Sequence, residues 1–303
     1  MSIKRFLLPI SILLLLIFAL PFNLSVNSNA ADSQDKKIVS IATLDGFSPF
    51  CFAKEGSGAA PVDGELIKPG EDSKFLQGLS WDVVRESFHA KGYTIQLFVY
   101  PWARTEFSLR NGEVDGAFPM TPNKKRNKLY YGTKNPTDKT NYVIYVKKGS
   151  KIKWSGLSSL SGFTVGVFNG WSYGEKFDNS TLFKKESSKD GIISGFKKLE
   201  LGRVDALAGY DIAFDQELKK AGKFDKFIKF PPFDSSIEVI YSPKNRGRVF
   251  VDAFDEGYDI IKLNGTLVST ITQKAEAMAA CDTQYGFGDD GGMLECWQLD
   301  RNN

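Results

Sequence analysis

The sequence predicts an α/β protein built from two lobes. Short β-branched runs alternate with amphipathic helical patterns, an arrangement typical of a parallel sheet with helices on its faces. The alternation restarts near the middle of the chain, and 303 residues are enough for two ordinary domains. Hydrophobic residues make up 42% of the chain and aromatic residues 13%, so packed cores are expected and disorder is excluded.

The first half of the chain contains three predicted strands and two predicted helices. The strands are at residues 38–42, 93–100 and 114–118, and the helices are at residues 81–91 and 103–110. The first helix is predicted because Trp81, Val84 and Phe88 recur at helical spacing. Residues 56–72 are rich in glycine, proline and acidic residues, so we expect a surface excursion there.

The second half repeats this alternation. Strands are predicted at residues 142–147, 163–168, 204–208 and 237–241, and helices at residues 171–177, 192–201 and 250–263. In the last helix Phe250, Phe254 and Ile261 share one face, and Gly265 follows as the terminating residue.

Two extended segments, near Asn141 and near Ser236, are the expected crossings between the lobes. Two crossings mean that one lobe is inserted into the other. We therefore predict that residues 31–140 and 240–303 form lobe 1 and that residues 141–239 form lobe 2. The cleft between two hinged lobes is the expected ligand site.

Residues 1–30 have the pattern of a cleavable signal peptide. Lys4 and Arg5 precede an apolar run at residues 6–20, and Ser-Asn-Ala at residues 28–30 suits a signal peptidase. The run is short for a membrane span, although an uncleaved anchor stays open as an alternative. We expect a mature protein in the periplasm.

The charge and the motif content exclude several functions. The net charge of +3 includes Lys4 and Arg5, so the mature chain carries only +1 and has no field for nucleic acid or anionic lipid. His89 is the single histidine and lies in a predicted helix without a second ligand, so no metal site is expected. The chain lacks a phosphate-binding Gly-Lys-Ser/Thr motif, and we predict no cofactor.

Three cysteines are present in a chain predicted to enter an oxidising compartment. Cys281 and Cys296 lie near each other in a glycine-rich tail, and we expect a disulfide between them. Cys51 lies between two phenylalanines, which favours a buried thiol. Other pairings of the three cysteines remain open.

Six short motifs in a fixed order support a family resemblance. They occupy residues 101–104 (Pro-Trp-Ala-Arg), 111–116 (Asn-Gly-Glu-Val-Asp-Gly), 121–126, 160–167, 170–173 (Gly-Trp-Ser-Tyr) and 201–206. Together they resemble the family 3 extracellular solute-binding proteins, the receptors of polar amino-acid-type ABC importers. The resemblance covers nearly all of the mature chain except residues 56–72 and the tail after Cys281. It implies a type II periplasmic-binding-protein fold whose two lobes close on a small solute.

The resemblance implies an arginine for the α-carboxylate of the solute, and Arg126 matches it by its place after Thr121. A guanidinium group binds a carboxylate through two parallel hydrogen bonds, which fixes orientation as well as affinity. The alternative is a solvated basic turn formed by Lys124, Lys125 and Arg126.

The resemblance also implies an anion-binding helix start at residues 170–173, where Gly170, Trp171, Ser172 and Tyr173 would contact the solute. The alternative is a plain helix cap with two packing aromatic residues. Asp211 stands about where the family places its ammonium-binding acid, and its alternative role is a helix N-cap.

Five further residues are candidates for the wall of the cleft. Phe50 matches the aromatic platform of the family, with ordinary core as its alternative. Trp81 and Asp82 begin the first helix, where Asp82 would line the cleft or cap that helix. Trp102 and Arg104 follow a strand end, where ligand sites of α/β sheets gather. A structural salt bridge is the alternative for Arg104.

We therefore expect a monomeric, non-enzymatic receptor that binds an amino acid or a related carboxylate and presents it to the membrane permease of an ABC importer. Two alternatives stay open. One is an enzyme of the same fold, similar to the cyclohexadienyl dehydratases, with Asp82 or Asp211 as its acid or base. The other is a sensory protein whose closed form docks on a membrane receptor.

Overall fold

The computed structural model describes residues 37–271. The predicted signal peptide and the predicted Cys281–Cys296 disulfide lie outside these residues. Within residues 37–271, none of the helices has the length and apolarity needed to cross a membrane. Cys51 is a buried free thiol, as its apolar neighbours predict, and burial raises its pKa.

Thirteen strands are present in the described part of the chain. They are β1 (Ile38–Thr43), β2 (Phe52–Ala53), β3 (Glu65–Ile67), β4 (Leu76–Gln77), β5 (Thr94–Val99), β6 (Gly116–Met120), β7 (Tyr130–Gly132), β8 (Asp138–Lys147), β9 (Thr164–Phe168), β10 (Lys184–Ser188), β11 (Ala206–Tyr210), β12 (Phe227–Lys229) and β13 (Asp234–Pro243).

Seven α-helices accompany these strands over residues 37–271. They are α1 (Leu79–Ala90), α2 (Trp102–Arg110), α3 (Lys124–Leu129), α4 (Glu175–Asp178), α5 (Ile192–Glu200), α6 (Asp211–Lys220) and α7 (Val249–Leu263). Short 3-10 helices cover Leu157–Leu160, Phe224–Lys226 and Lys244–Arg246.

Eleven of the strands join in one mixed sheet with the order β10-β9-β11-β8-β13-β6-β1-β5-β3. In addition, β12 pairs with β8 and β7 pairs with β13, whereas β2 and β4 form a separate two-stranded sheet. Strand β1 runs parallel to β5 and β6, and β9 runs parallel to β10 and β11. The predicted parallel pairing is therefore found in both halves, whereas β8 and β13 run antiparallel to their neighbours.

Most of the predicted elements are confirmed with shifts of a few residues at their ends, including α1, α2, α5 and α7. The predicted surface excursion at residues 56–72 contains β3, an edge strand that pairs with β5.

The helix predicted at residues 171–177 is wrong, and α4 begins only at Glu175. Gly174 has a φ of 85°, a left-handed conformation that does not continue a helix. The carboxylate of Asp178 accepts hydrogen bonds from the Tyr173 backbone N–H and the Ser172 hydroxyl, and these bonds hold the preceding loop in an extended form.

The long strands β8 and β13 connect the two halves of the sheet. The first halves of the two strands pair with each other, with Asn141 opposite Ser235 and Thr140 opposite Ser236. Further along, β13 pairs with β6, while β8 pairs with β11. The chain therefore passes between the halves on two adjacent strands that are hydrogen-bonded to each other.

A buried and a half-buried carboxyl group lie opposite each other where these strands meet. Asp138 and Glu238 are cross-strand partners, and the Glu238 side chain is almost fully buried. Burial raises the pKa of both groups, and for Glu238 the nearby charge of Asp138 raises the pKa further. Two like charges in a buried pair disfavour each other, so the protonated form of Glu238 is favoured in the fold.

Helix α7 returns the chain to the first half of the sheet and packs against α1. At the closest approach, Gly257 lies against the backbone carbonyl of Ser87. A Cβ atom at position 257 would overlap with that carbonyl oxygen and with its carbon. The helices can pack this closely only because residue 257 has no side chain.

We predict that Gly257→Ala destabilises the protein by at least about 1 kcal/mol in urea unfolding. The overlap with backbone costs more than the roughly 1 kcal/mol that alanine gains over glycine in helix propensity. The control, Glu256→Ala, removes an exposed ion pair with Lys91 and should cost at most about 1 kcal/mol. A Gly257→Ala variant more stable than the parent would contradict this packing.

The buried acid pair predicts a pH-dependent stability. A carboxyl group whose pKa is raised in the fold contributes most below its unfolded pKa, near pH 4, and this contribution is lost as the pH rises toward neutral. Glu238→Gln, neutral at every pH, should therefore gain stability relative to the parent between pH 4.5 and pH 7.5. Urea midpoints at both pH values measure the gain, with the exposed Glu256→Gln as the control. If the urea midpoints of Glu238→Gln and of the parent differ by the same amount at both pH values, Glu238 does not titrate as proposed.

Candidate functional site

A small cavity of about 20 Å³ lies where several strand ends and the loops after them meet. We call it the Arg126 cavity, and it is lined by Leu44, Phe47, Trp102, Pro119, Thr121, Arg126, Trp171 and Tyr210. Leu44 and Phe47 follow β1, Trp102 begins α2, and Pro119 and Thr121 lie at the end of β6. Arg126 lies in α3, Trp171 follows β9, and Tyr210 is the last residue of β11. The site therefore draws on the carboxyl ends of parallel strands from both halves of the sheet, the usual position of ligand sites in α/β sheets.

Arg126 is held from three sides. Its guanidinium donates to the carbonyl oxygen of Thr121 at 2.7 Å, to the Glu106 carboxylate at 2.9 Å and to the carbonyl oxygen of Gly170 at 2.8 Å. The Asn123 side chain caps α3 by accepting from the Arg126 backbone N–H at 2.9 Å. Arg126 is buried, so the alternative of a solvated basic turn does not describe this side chain, whereas Lys124 and Lys125 are exposed.

The loop that carries Gly170 and Trp171 reaches over this guanidinium. A Cβ atom at position 170 would overlap with the Glu106 carboxylate, so glycine lets the backbone approach the ion pair closely. The Trp171 ring lies 5.6 Å from the Phe47 ring and 4.9 Å from the Tyr210 ring, measured between centroids. These aromatic rings form one wall of the Arg126 cavity.

A chain of hydroxyl groups lies behind that wall. The Thr121 hydroxyl contacts Glu238 at 2.8 Å, the Tyr210 hydroxyl at 2.9 Å and the Tyr142 hydroxyl at 3.3 Å, and the Tyr210 hydroxyl donates to the carbonyl oxygen of Ser172 at 2.8 Å. Burial raises the pKa of Tyr210 and of Tyr142, so both hydroxyls keep their protons.

The Thr121 hydroxyl donates to the Glu238 carboxyl group, which favours its charged form, but burial and the nearby charge of Asp138 outweigh this contact. The pKa of Glu238 is therefore raised in the fold.

Several predicted contacts lie outside the cavity lining. The Ser172 hydroxyl donates to Asp178, and the Tyr173 hydroxyl accepts from the Phe168 backbone N–H. The Asp211 carboxylate pairs with Lys229 at 2.5 Å, away from the cavity, because β11 ends at Tyr210 and Asp211 is already the first residue of α6.

The remaining candidates are packed or paired elsewhere. Phe50 is buried beside Phe47 at 5.3 Å between ring centroids. The Trp81 indole donates to Asp72, and Asp82 pairs with Arg85. Arg104 forms an exposed ion pair with Glu113 at 2.9 Å.

Four of the twelve candidates therefore line one cavity, namely Trp102, Thr121, Arg126 and Trp171, and Gly170 borders it through its carbonyl oxygen. The solute roles assigned to them remain predictions. Sequence reasoning missed Leu44, Phe47, Pro119 and Tyr210, which also line it. The motif at residues 121–126 carried the signal for Arg126, but no local pattern pointed to its partner Glu106.

The indole N–H of Trp102 is a polar group of the cavity that has no hydrogen-bond partner among residues 37–271, although it is buried. A buried donor without a partner costs free energy, so an acceptor is favoured beside it. Among the same residues, no group of three or more histidine, cysteine or acidic side chains is placed to hold a metal ion.

Comparison with solved structures identifies proteins of similar fold. An ancestral arginine-binding protein bound to arginine is 19% identical, with a TM-score of 0.63 over 78% of this chain and 97% of that chain. AbpA, an amino acid ABC transporter substrate-binding protein from Streptococcus pneumoniae bound to L-arginine, is 17% identical, with a TM-score of 0.61 over 79% and 95%.

A third similar structure is ArtJ, an arginine-, lysine-, histidine-binding protein from Geobacillus stearothermophilus. It is 22% identical, with a TM-score of 0.61 over 78% of this chain and 94% of that chain. These likenesses show the type II periplasmic-binding-protein fold that the sequence predicts.

No curated protein matches the sequence. Residues 39–274 match the family described as bacterial extracellular solute-binding proteins, family 3. This match covers most of the chain and confirms the resemblance found in the motifs. The chain belongs to the family 3 bacterial extracellular solute-binding proteins.

Proposed function

We propose that this protein is a periplasmic receptor that captures a small amino acid or related carboxylate and delivers it to the permease of an ABC importer. The single observation that carries the proposal is the Arg126 cavity, which places a buried guanidinium among aromatic side chains from both halves of the sheet. Small-solute sites usually combine an apolar wall with a few placed polar groups.

The proposal divides the chain into lobe 1 at residues 31–140 and 240–303 and lobe 2 at residues 141–239. On this division, Arg126 belongs to lobe 1 and Gly170 to lobe 2, so their hydrogen bond joins the lobes. The contacts of Phe47 with Trp171 and of Thr121 with Tyr210 join them as well. A solute that touches both walls favours the closed arrangement by its greater affinity for it.

Export through the signal peptide at residues 1–30 completes the proposal, because an importer receptor works outside the inner membrane. Similar structures are described as substrate-binding proteins of amino acid ABC transporters and as bound to arginine, which supports the same class of solute and partner here. We expect a monomer that presents both lobes to the permease.

We predict that Arg126→Ala weakens solute binding at least tenfold, or roughly 1.4 kcal/mol, because a bidentate carboxylate contact is lost. Isothermal titration calorimetry measures this loss, with a solute found by native mass spectrometry or by a thermal-shift panel. Lys125→Ala, which removes an exposed cation from the same helix, is the control and should leave affinity unchanged. Circular dichroism confirms folding of both variants, and equal affinities would remove Arg126 from the site.

We also predict that the freshly purified protein carries or binds a small solute. Native mass spectrometry detects a carried molecule, and a thermal-shift panel of amino acids, desamino carboxylates, polyamines and sugars tests the rest. A solute at a hundred times its dissociation constant should stabilise the fold by roughly 2.7 kcal/mol. Turnover of prephenate or arogenate would contradict a receptor without enzymatic activity.

A further inference from the structure

The lining of the Arg126 cavity contains one charged side chain, and that side chain is a cation. Its other lining residues are apolar, aromatic or hydroxyl-bearing, and no carboxylate of the described residues belongs to the lining. An ammonium group buried there would lose its water without gaining an anionic partner, and it would face the guanidinium of Arg126. Such a burial is strongly unfavourable.

The acids near the cavity are engaged elsewhere. Asp211 pairs with Lys229, and Glu238 accepts a hydrogen bond from Thr121 and has a pKa raised by burial. Glu106 pairs with Arg126 at 2.9 Å but is not part of the lining. The amino-acid site expected from the family therefore has its carboxylate anchor here, and the acid beside that anchor, Glu106, is already paired with it.

Two hydrogen-bond donors of the cavity are available to a solute carboxylate. Arg126 and the indole N–H of Trp102 both line the cavity, and both border Gly170. A Cβ atom built on Gly170 would lie 3.2 Å from the indole nitrogen, and the guanidinium donates to the carbonyl oxygen of the same residue. A carboxylate has two acceptor oxygens and is the simplest group that satisfies both donors.

The Glu106 carboxylate is a partner of the Arg126 guanidinium that a solute carboxylate can replace. Its side chain is 31% exposed, so it can turn into solvent when a solute carboxylate approaches. The guanidinium would then exchange one carboxylate for another and would stay neutralised throughout. The side chain of Arg126 itself is only 8% exposed and remains in place.

The remaining walls present aromatic rings to a solute. Phe47, Trp171 and Tyr210 lie between 4.9 and 5.8 Å from one another, measured between ring centroids. Aromatic rings pack favourably at such distances on further rings. The cavity has a volume of about 20 Å³, room for about one water molecule, so the two halves must move apart to admit a solute.

We propose that the Arg126 cavity selects a small aromatic carboxylate that carries no ammonium group, held by Arg126 and by the indole N–H of Trp102. The inference rests on the proposed function, because it names the solute class of the same cavity.

The test compares matched pairs of solutes by calorimetry on the mature protein after removal of any carried molecule. 3-Phenylpropionate and L-phenylalanine differ by the ammonium group alone, and 3-phenylpropionamide replaces the carboxylate with a neutral amide. We expect 3-phenylpropionate to bind at least tenfold more tightly than either. Equal or tighter binding of L-phenylalanine would overturn the inference.

Two variants test the roles of Trp102 and Glu106 in binding the solute carboxylate. Trp102→Phe keeps a ring but removes the donor, and it should weaken binding of 3-phenylpropionate at least threefold while L-phenylalanine stays weak. Glu106→Gln removes the competing carboxylate and should strengthen binding of 3-phenylpropionate at least threefold. Weaker binding of 3-phenylpropionate by Glu106→Gln would show that Glu106 contacts the solute. It would overturn the proposed exchange of the Glu106 carboxylate for the solute carboxylate at Arg126.

L-Arginine and L-glutamine separate this inference from the proposed function. If either amino acid binds and 3-phenylpropionate does not, the protein remains a receptor of the proposed kind, and only the inference about the ammonium group fails. If none of these solutes binds and native mass spectrometry finds no carried molecule, both the inference and the proposed function fail.

Discussion

The three hydrogen bonds of the Arg126 guanidinium hold the candidate site together. They connect α3 with the end of β6, with Glu106 in α2 and with the loop after β9. A buried guanidinium needs such partners, because removing an ion from water costs several kcal/mol unless charges and hydrogen bonds compensate. The conformation of the Gly170 loop and the position of the aromatic wall follow from this requirement, since a side chain at position 170 would displace Glu106.

The paired strands β8 and β13 set the distance between the two halves of the sheet, and a buried acid pair lies where they meet. The raised pKa values of Asp138 and Glu238 cost stability at neutral pH that two apolar residues would not. Glu238 accepts a hydrogen bond from Thr121, which lies in the cavity wall and contacts Tyr210 in turn. A titratable carboxyl group at the strand crossing is therefore connected by hydrogen bonds to two residues that line the cavity.

Hydrophobic periodicity was sufficient to predict the long elements, because α1, α5 and α7 bury one regular face each. Short strands such as β3 and β12 were not predictable, since only their pairing partners define them. The helix predicted from residue 171 failed because Gly174 and Asp178 favour an extended loop. A family motif was sufficient to identify Arg126, whereas Glu106 lies 20 residues away and meets it only in the fold. Asp211 holds the expected place in the chain, but the start of α6 directs its carboxylate to Lys229.

A crystal structure of the mature protein with 3-phenylpropionate tests the central claim most directly. The account predicts that the carboxylate lies against the guanidinium of Arg126 and the indole N–H of Trp102, that the ring packs among Phe47, Trp171 and Tyr210, and that Glu106 has turned into solvent. A solute bound elsewhere, or with its carboxylate away from Arg126 in the same cavity, would contradict it.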